Sequence, residues 1–166
     1  CSIKKVIRNS GVKMKRKLLF DHDSPELDEL KTLVSKQTHR VLIAWAFDCA
    51  AYYLKLIEER CPDESRPEIA YHKAKEWASG LIKMPEAKRA ILAAHQAANE
   101  IDDMIAIALI RAVAQGVSTV HTPKHAMGVV FYGLTALYYD TPIEKRTSLI
   151  NDKIKWFYDR LLSCQY

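Results

Sequence analysis

The sequence predicts an all-α protein, built as a single bundle-like domain of about seven helices. Apolar residues recur three and four positions apart along most of the chain, which is the spacing of one face of an α-helix. Prolines directly after a serine or threonine mark several helix starts, because the first helical position needs no N–H donor. No run alternates apolar and polar residues strictly enough to indicate a strand.

The length and composition fit one globular domain. A chain of 166 residues, 49% apolar and 27% charged, can bury a core of ordinary size without the help of disulfides or a metal ion. Only five glycines are present and there is no low-complexity tract, so the composition is not that of a disordered chain. One domain is therefore predicted rather than two.

Capping residues mark where the helices begin. Three starts place a hydroxyl directly before a proline, at Ser24-Pro25, Thr122-Pro123 and Thr141-Pro142. A glutamate three residues after Ser65 and after Thr141 predicts a reciprocal capping box at both positions. Together with the apolar spacing, these marks predict helices over residues 25–36, 39–60, 67–79, 85–99, 102–120, 123–139 and 142–163.

The fifth and sixth predicted helices are apolar on nearly every side. The stretch from Ile105 to Val120 is interrupted only by Arg111, Gln115, Ser118 and Thr119, and the stretch from Ala126 to Tyr139 carries no charge. A helix without a polar face must be surrounded by other helices, so we expect these two to form a central hairpin. Close approach of neighbouring helices is expected at Gly116, Gly128 and Gly133.

Positive charge is concentrated at the N terminus. Residues 1–17 contain seven lysines and arginines and no acid, whereas the remaining 149 residues sum to −2. We therefore divide the chain into a basic tail, residues 1–17, and a helical domain, residues 18–166. The tail is interpreted as a disordered or non-native leader with Met14 as the natural start, and contact with nucleic acid or a membrane is the alternative. The domain has no excess positive charge that would indicate a nucleic-acid partner.

Nothing in the sequence predicts a membrane span or a cysteine metal site. The longest apolar segment, residues 126–139, is shorter than the ~18 residues that a spanning helix needs. The four cysteines lack Cys-x-x-Cys spacing and are expected to be reduced packing thiols: Cys1, Cys49, Cys61 and Cys164. A cytoplasmic protein without a membrane partner is predicted, with lipid modification of Cys1 as the alternative.

Three histidines are the main candidates for chemistry. His121 and His125 are four residues apart, but Pro123 between them predicts that they flank a corner between two helices. His95 lies near the neighbouring junction and could join them in a zinc site or in acid–base catalysis. We favour structural histidines, because no His-Glu-x-x-His run, nucleophile elbow or phosphate loop accompanies them. No metal and no cofactor are predicted.

Other polar and aromatic residues are candidates for contacts. Arg111 stands alone among apolar residues, so we expect it to be buried in an ion pair with Asp48, Asp102 or Asp103. The candidate binding cluster is therefore His95, Asp102, Asp103, Arg111, His121, His125 and Asp48. Tyr138 and Tyr139, near a helix end, are candidates for contact with a partner.

Several short motifs together resemble a known family. In chain order they are Trp45-Ala46-Phe47-Asp48-Cys49-Ala50, Pro62-Asp63-Glu64-Ser65-Arg66-Pro67, Trp77-Ala78-Ser79-Gly80, Ala94-His95-Gln96-Ala97-Ala98, Arg111-Ala112 and the segment from His121 to Gly128. Their order and spacing over residues 26–140 are similar to those of the putative immunity protein family of bacterial polymorphic toxin systems. The resemblance implies a helical cytoplasmic protein that neutralises a toxin, and it brings no catalytic residues with it.

The leading hypothesis is a binding protein that occludes a cognate toxin through a preformed helical surface, with no catalysis. The alternative from another class is a metal-dependent or histidine-dependent helical enzyme built around His95, His121 and His125. The two differ in whether those side chains converge on one point, which the sequence alone does not determine.

Overall fold

The computed structural model describes residues 18–164 and confirms the all-α fold. Seven α-helices follow one another along the chain: α1 Asp28–Ser35, α2 His39–Arg60, α3 Arg66–Ala78, α4 Met84–Glu100, α5 Met104–Ser118, α6 Ala126–Asp140 and α7 Arg146–Ser163. Single-turn 3-10 helices lead into α1, α6 and α7, over Pro25–Leu27, Pro123–His125 and Ile143–Lys145. Within residues 18–164 there is no strand. The predictions for the basic tail, residues 1–17, lie outside this range.

The helix starts were predicted correctly, but their capping chemistry was not. Neither Ser65 nor Thr141 closes the expected capping box. The backbone of Ser65 is helical, with φ −87° and ψ −13°, whereas a capping side chain needs an extended residue to reach the first free N–H groups. Thr38 is extended, and its hydroxyl accepts the N–H of Val41 at the start of α2. An extended backbone is necessary for such a cap but not sufficient, because Ser24, Thr122 and Thr141 are extended and none of them accepts a capping N–H.

The apolar helices α5 and α6 form the predicted central hairpin. Their contact is the most extensive in the fold, and α5 also packs against α2, α3 and α4. On the other side, α6 packs against α7, which in turn contacts α1 and α2. Apart from two polar positions, α5 is buried from Ala106 to Ser118, so the absence of a polar face is explained by neighbours all round. No helix among the described residues is both long and apolar enough to cross a bilayer.

All three glycines of the hairpin are confirmed as points of close approach. A Cβ at Gly128 on α6 would lie 2.7 Å from the Cβ of Gln115 on α5. A Cβ at Gly116 would lie 3.2 Å from the carbonyl oxygen of Ala46 on α2. A Cβ at Gly133 on α6 would lie only 2.1 Å from the hydroxyl of Tyr53, which cannot be accommodated without movement. Because Gly116 and Gly133 have no side chain, they determine how closely α2 approaches the hairpin.

The prediction for the cysteines was correct in part. Cys49, which is buried, and Cys164 are free thiols. Cys61 is disulfide-bonded, so the prediction of reduced thiols was wrong for this residue. Sequence spacing does not show which sulfur atoms meet in space, and this is why the pairing was missed.

Candidate functional site

The three candidate histidines meet at one end of the hairpin, which we call the histidine corner: His95, His121 and His125. His95 comes from α4, and the other two lie on either side of Pro123, between α5 and α6. Burial is the first cause that lowers the pKa of His95, followed by the charges of Arg111, His125 and His121. The three segments therefore lie close enough for the charges of the other two rings to lower the pKa of His95.

Each of the three rings, however, has a different hydrogen-bond partner. Nε2 of His95 lies 3.2 Å from the hydroxyl of Ser118, which itself donates to the carbonyl of Ala114 and so accepts from the ring. The other two rings use Nδ1, His121 at 3.1 Å from the sulfur of Met84 and His125 at 2.8 Å from Oε1 of Gln115. Among residues 18–164, no group of three histidine, cysteine, aspartate or glutamate side chains could hold a metal ion.

The histidine corner predicts a pH-dependent stability. Burial is the largest cause of the lowered pKa of His95, His121 and His125, so each ring binds a proton less readily in the folded than in the unfolded chain. Stability is then complete above the unfolded pKa of 6.5 and is lost as the pH falls through it towards the folded values. The urea midpoint is expected to drop between about pH 7.5 and about pH 5.5.

The matched variant for this measurement is His95→Gln, which keeps a donor for Ser118 and removes the titrating group. Its urea midpoint should depend less steeply on pH over the same range than that of the unchanged protein. An equal slope in both proteins would show that His95 contributes nothing to the linkage.

The acidic members of the predicted cluster lie elsewhere. Asp103 caps the start of α5, about 22 Å along that 15-residue helix from the end where Ser118 contacts His95, and Asp102 directly precedes it. Asp48 pairs with Arg160, joining α2 to α7. The cluster of seven residues therefore does not form as one site.

Arg111 was expected to be buried in an ion pair, and this expectation was wrong. Its guanidinium donates to the side-chain oxygen of Asn99 at 2.9 Å and lies 5.9 Å from the ring centre of Tyr132. The side chain is only half-buried, so water solvates part of the charge and no carboxylate is required.

A groove that the sequence did not indicate opens between α2 and the hairpin, at the end far from the histidine corner. We call it the α2–α6 groove; its cavity volume is about 460 Å³. Apolar side chains from three helices line its walls, namely Leu56 on α2, Ile105 and Leu109 on α5, and Leu137 on α6. Depressions of this size and lining commonly accommodate a ligand or a partner's side chain.

One end of the groove is built from the ends of three helices joined by Arg60. Its Nε donates to Oδ2 of Asp103 at 2.7 Å, and its Nη1 lies 3.8 Å from Oδ1 of Asp140. Oδ1 of Asp103 also accepts the N–H groups of Ile105 and Ala106, which caps α5. Burial raises the pKa of Asp103, but the bonds from Arg60 and from these N–H groups outweigh it and lower that pKa overall.

The opposite end of the groove is aromatic and basic. Nζ of Lys153 lies 3.9 Å from the ring centre of Tyr52 and 4.3 Å from that of Trp156. Lys153 has no carboxylate partner among the described residues, so these two rings are its main contacts. The groove therefore has a cationic end on α7 and an end with several carboxylates near Arg60.

Exposed apolar side chains lie beside the Arg60 end. Met104 follows the capping Asp103 and is 47% exposed, Tyr139 precedes Asp140 and is 36% exposed, and Ile143 is 77% exposed. Tyr138, the other candidate aromatic, is half-buried beneath the guanidinium of Arg146 at 4.2 Å. Both tyrosines lie at the end of the bundle where α6 ends. Their contact with a partner stays a prediction.

The protein is therefore an all-α domain with a depression on its surface. Residues 32–161, most of the chain, match the family described as Imm-5 like putative immunity protein. The chain belongs to this family, in agreement with the resemblance of its motifs. No curated protein and no solved structure matches the chain.

Proposed function

We propose that this protein neutralises a cognate bacterial toxin by binding it, without catalysis of its own. The observation that carries the proposal is the α2–α6 groove with exposed Met104, Tyr139 and Ile143 beside it. Apolar side chains grouped around a depression are typical of a protein-binding surface. Membership of a family named for immunity supports a toxin as the partner, and we place the action in the cytoplasm.

The separate partners of the three histidines support binding over the enzymatic alternative. A zinc ion would need several nitrogen or oxygen ligands about 2.0–2.2 Å from one point. The rings instead bond to Ser118, Met84 and Gln115, each on a different part of α4 or α5. A structural role for the corner is consistent with the fold, because these bonds tie α4, α5 and the α6 entrance together.

The test is co-expression with any toxin domain that a neighbouring gene encodes, read as growth rescue and as co-purification. Ile143→Asp is expected to weaken toxin binding about thirtyfold or more, the scale of a hot-spot residue, while leaving the melting temperature unchanged. Because Ile143 is 77% exposed, its replacement removes little from the core.

The control variant is His121→Ala, at the other end of the bundle. It loses only a contact with the weak acceptor sulfur of Met84, so we expect a cost of about 1 kcal/mol in stability and full protection. A folded His121→Ala protein that no longer protects would favour the enzymatic alternative. An unchanged chain that neither binds such a toxin domain nor protects against it would contradict the proposed function.

A further inference from the structure

We infer that the α2–α6 groove receives a basic side chain, arginine or lysine, of the toxin at its Arg60 end. This inference rests on the proposed function and specifies the chemistry of the partner at that site. It is carried by the balance of charge at the Arg60 end, by the apolar walls behind it and by the length of the groove.

Negative charge exceeds positive charge at the Arg60 end. Glu59, Asp103 and Asp140 contribute three carboxylates, and Arg60 is the one cation bound between them. Glu59 is exposed and forms no ion pair with a described residue, and the carboxylate of Asp140 is 64% exposed. The C-terminal ends of α2 and α6 also lie here, and their free carbonyls add partial negative charge, which outweighs the partial positive charge of the single N-terminus of α5 that Asp103 caps.

The walls fit the long stem of such a side chain. Lysine and arginine bury their methylene groups along apolar surface while the charged head stays at the polar edge. Leu56 and Leu137 are half-buried and line the groove next to Glu59 and Asp140 respectively in the helical repeat. A stem between these leucines would place its head at the two carboxylates that Arg60 neutralises least.

The cation of the groove itself is far enough away to permit this arrangement. Lys153 lies over Tyr52, which precedes Glu59 by seven residues on α2, a rise of about 10 Å. At physiological salt this separation is about one Debye length or more, so the repulsion between Lys153 and an incoming cation is largely screened. A cation bound at the Arg60 end would lie much closer to the Glu59 carboxylate than to Lys153, so its attraction to Glu59 is screened less.

A second acidic region competes for any basic partner. The segment before and within α1 exposes Asp21, Asp23, Glu26, Asp28 and Glu29. Its adjacent depression, about 330 Å³, is smaller than the groove, and Lys36 lies in its lining beside Asp28 and Glu29. Charge alone would favour this segment, whereas the larger depression with Glu59, unpaired among the described residues, at its edge favours the groove, so the two sites make different predictions.

The experiment uses hexa-arginine and hexa-citrulline peptides as probes of the full chain. Citrulline keeps the shape of arginine without its charge. Amide chemical shifts are followed by nuclear magnetic resonance during titration of each peptide, at low and at physiological salt. We expect hexa-arginine to shift residues of the groove, Leu56, Ile105 and Leu137 among them, and hexa-citrulline to leave them unchanged.

Two adjacent glutamates on α2 supply matched variants. Glu59 lines the groove, whereas Glu58 is also exposed but does not line it. Reversing the charge with Glu59→Lys should weaken hexa-arginine binding about fivefold or more, and Glu58→Lys should weaken it less than about twofold. Both variants change the net charge equally, so a diffuse attraction would affect them alike.

Several outcomes would overturn the inference. The inference would be wrong if the two variants weakened hexa-arginine binding equally or if chemical shifts changed only in residues 21–29. It would also be wrong if hexa-citrulline bound the groove as tightly as hexa-arginine. The toxin assay separates this failure from that of the proposed function. Protection that survives Glu59→Lys but not Ile143→Asp would retain the binding surface and reject the basic side chain.

Discussion

Trp45→Ala is expected to lower the free energy of unfolding by about 3–5 kcal/mol, the range for removing a large aromatic side chain from a core. Trp45 is fully buried on α2, and its indole Nε1 donates to the carbonyl of Phe157 on α7 at 3.1 Å. The substitution leaves a cavity and also removes the indole hydrogen bond that joins α2 to the backbone of α7. Urea unfolding measured by circular dichroism gives the change.

The control for this prediction is Trp77→Ala. Trp77 is only half-buried, at the end of α3, and removing it leaves a smaller cavity. Its loss should therefore cost clearly less than that of Trp45. Similar losses for the two variants would mean that the α2–α7 contact does not depend on the Trp45 indole.

Gly133→Ala is expected to destabilise the fold by about 1–3 kcal/mol, the usual cost of forcing extra volume into a packed interior. The new methyl group would lie 2.1 Å from the hydroxyl of Tyr53 and 2.4 Å from its ring carbon Cζ. Tyr53 is 2% exposed and cannot swing into solvent, so α2 and α6 must move apart. The same movement would widen the α2–α6 groove that both residues line.

Tyr53→Phe is expected to rescue part of this loss. The Tyr53 hydroxyl is buried and has no hydrogen-bond partner, so its removal should be close to neutral in the unchanged chain. In the double variant the nearest clash disappears while the ring remains, and a coupling energy of about 0.5 kcal/mol or more is expected. Strict additivity of the two substitutions would show that the hydroxyl does not set the helix spacing.

A second glycine provides the control for this pair. Gly80 ends α3 with φ +74°, and a Cβ there would meet nothing within 4 Å. Gly80→Ala should cost about 1 kcal/mol through its left-handed backbone conformation, not through a clash. Tyr53→Phe should leave that cost unchanged.

The sequence predicted the helices well because their signals are local. The prolines at 25, 123 and 142 fix a backbone angle within one residue, and the spacing of Leu42, Trp45 and Cys49 repeats within two turns. The capping box predicted at Ser65 did not form, because it depends on more than the local sequence. Whether Ser65 accepts a hydrogen bond depends on its own backbone angles, which the surrounding turn determines.

The candidate site was predicted less completely than the fold. That Pro123 turns the chain between His121 and His125 follows from the proline itself. His95 was expected beside Asp102 and Asp103, whereas its ring contacts Ser118 at the other end of α5. The partners of the rings could not be derived, because Ser118, Met84 and Gln115 are brought near them only by the rotation of each helix about its axis.

The sequence by itself determined the fold class, the number of helices and which two are surrounded, because burial of an apolar face is an average over many residues. Only the tertiary structure decided that the ends of α2, α5 and α6 meet. Arg60 and Asp103 are 43 residues apart in the chain, and the sequence does not indicate that they pair. Their ion pair and the groove beside it depend on how closely the helices pack, and that distance is set at single positions such as Gly133.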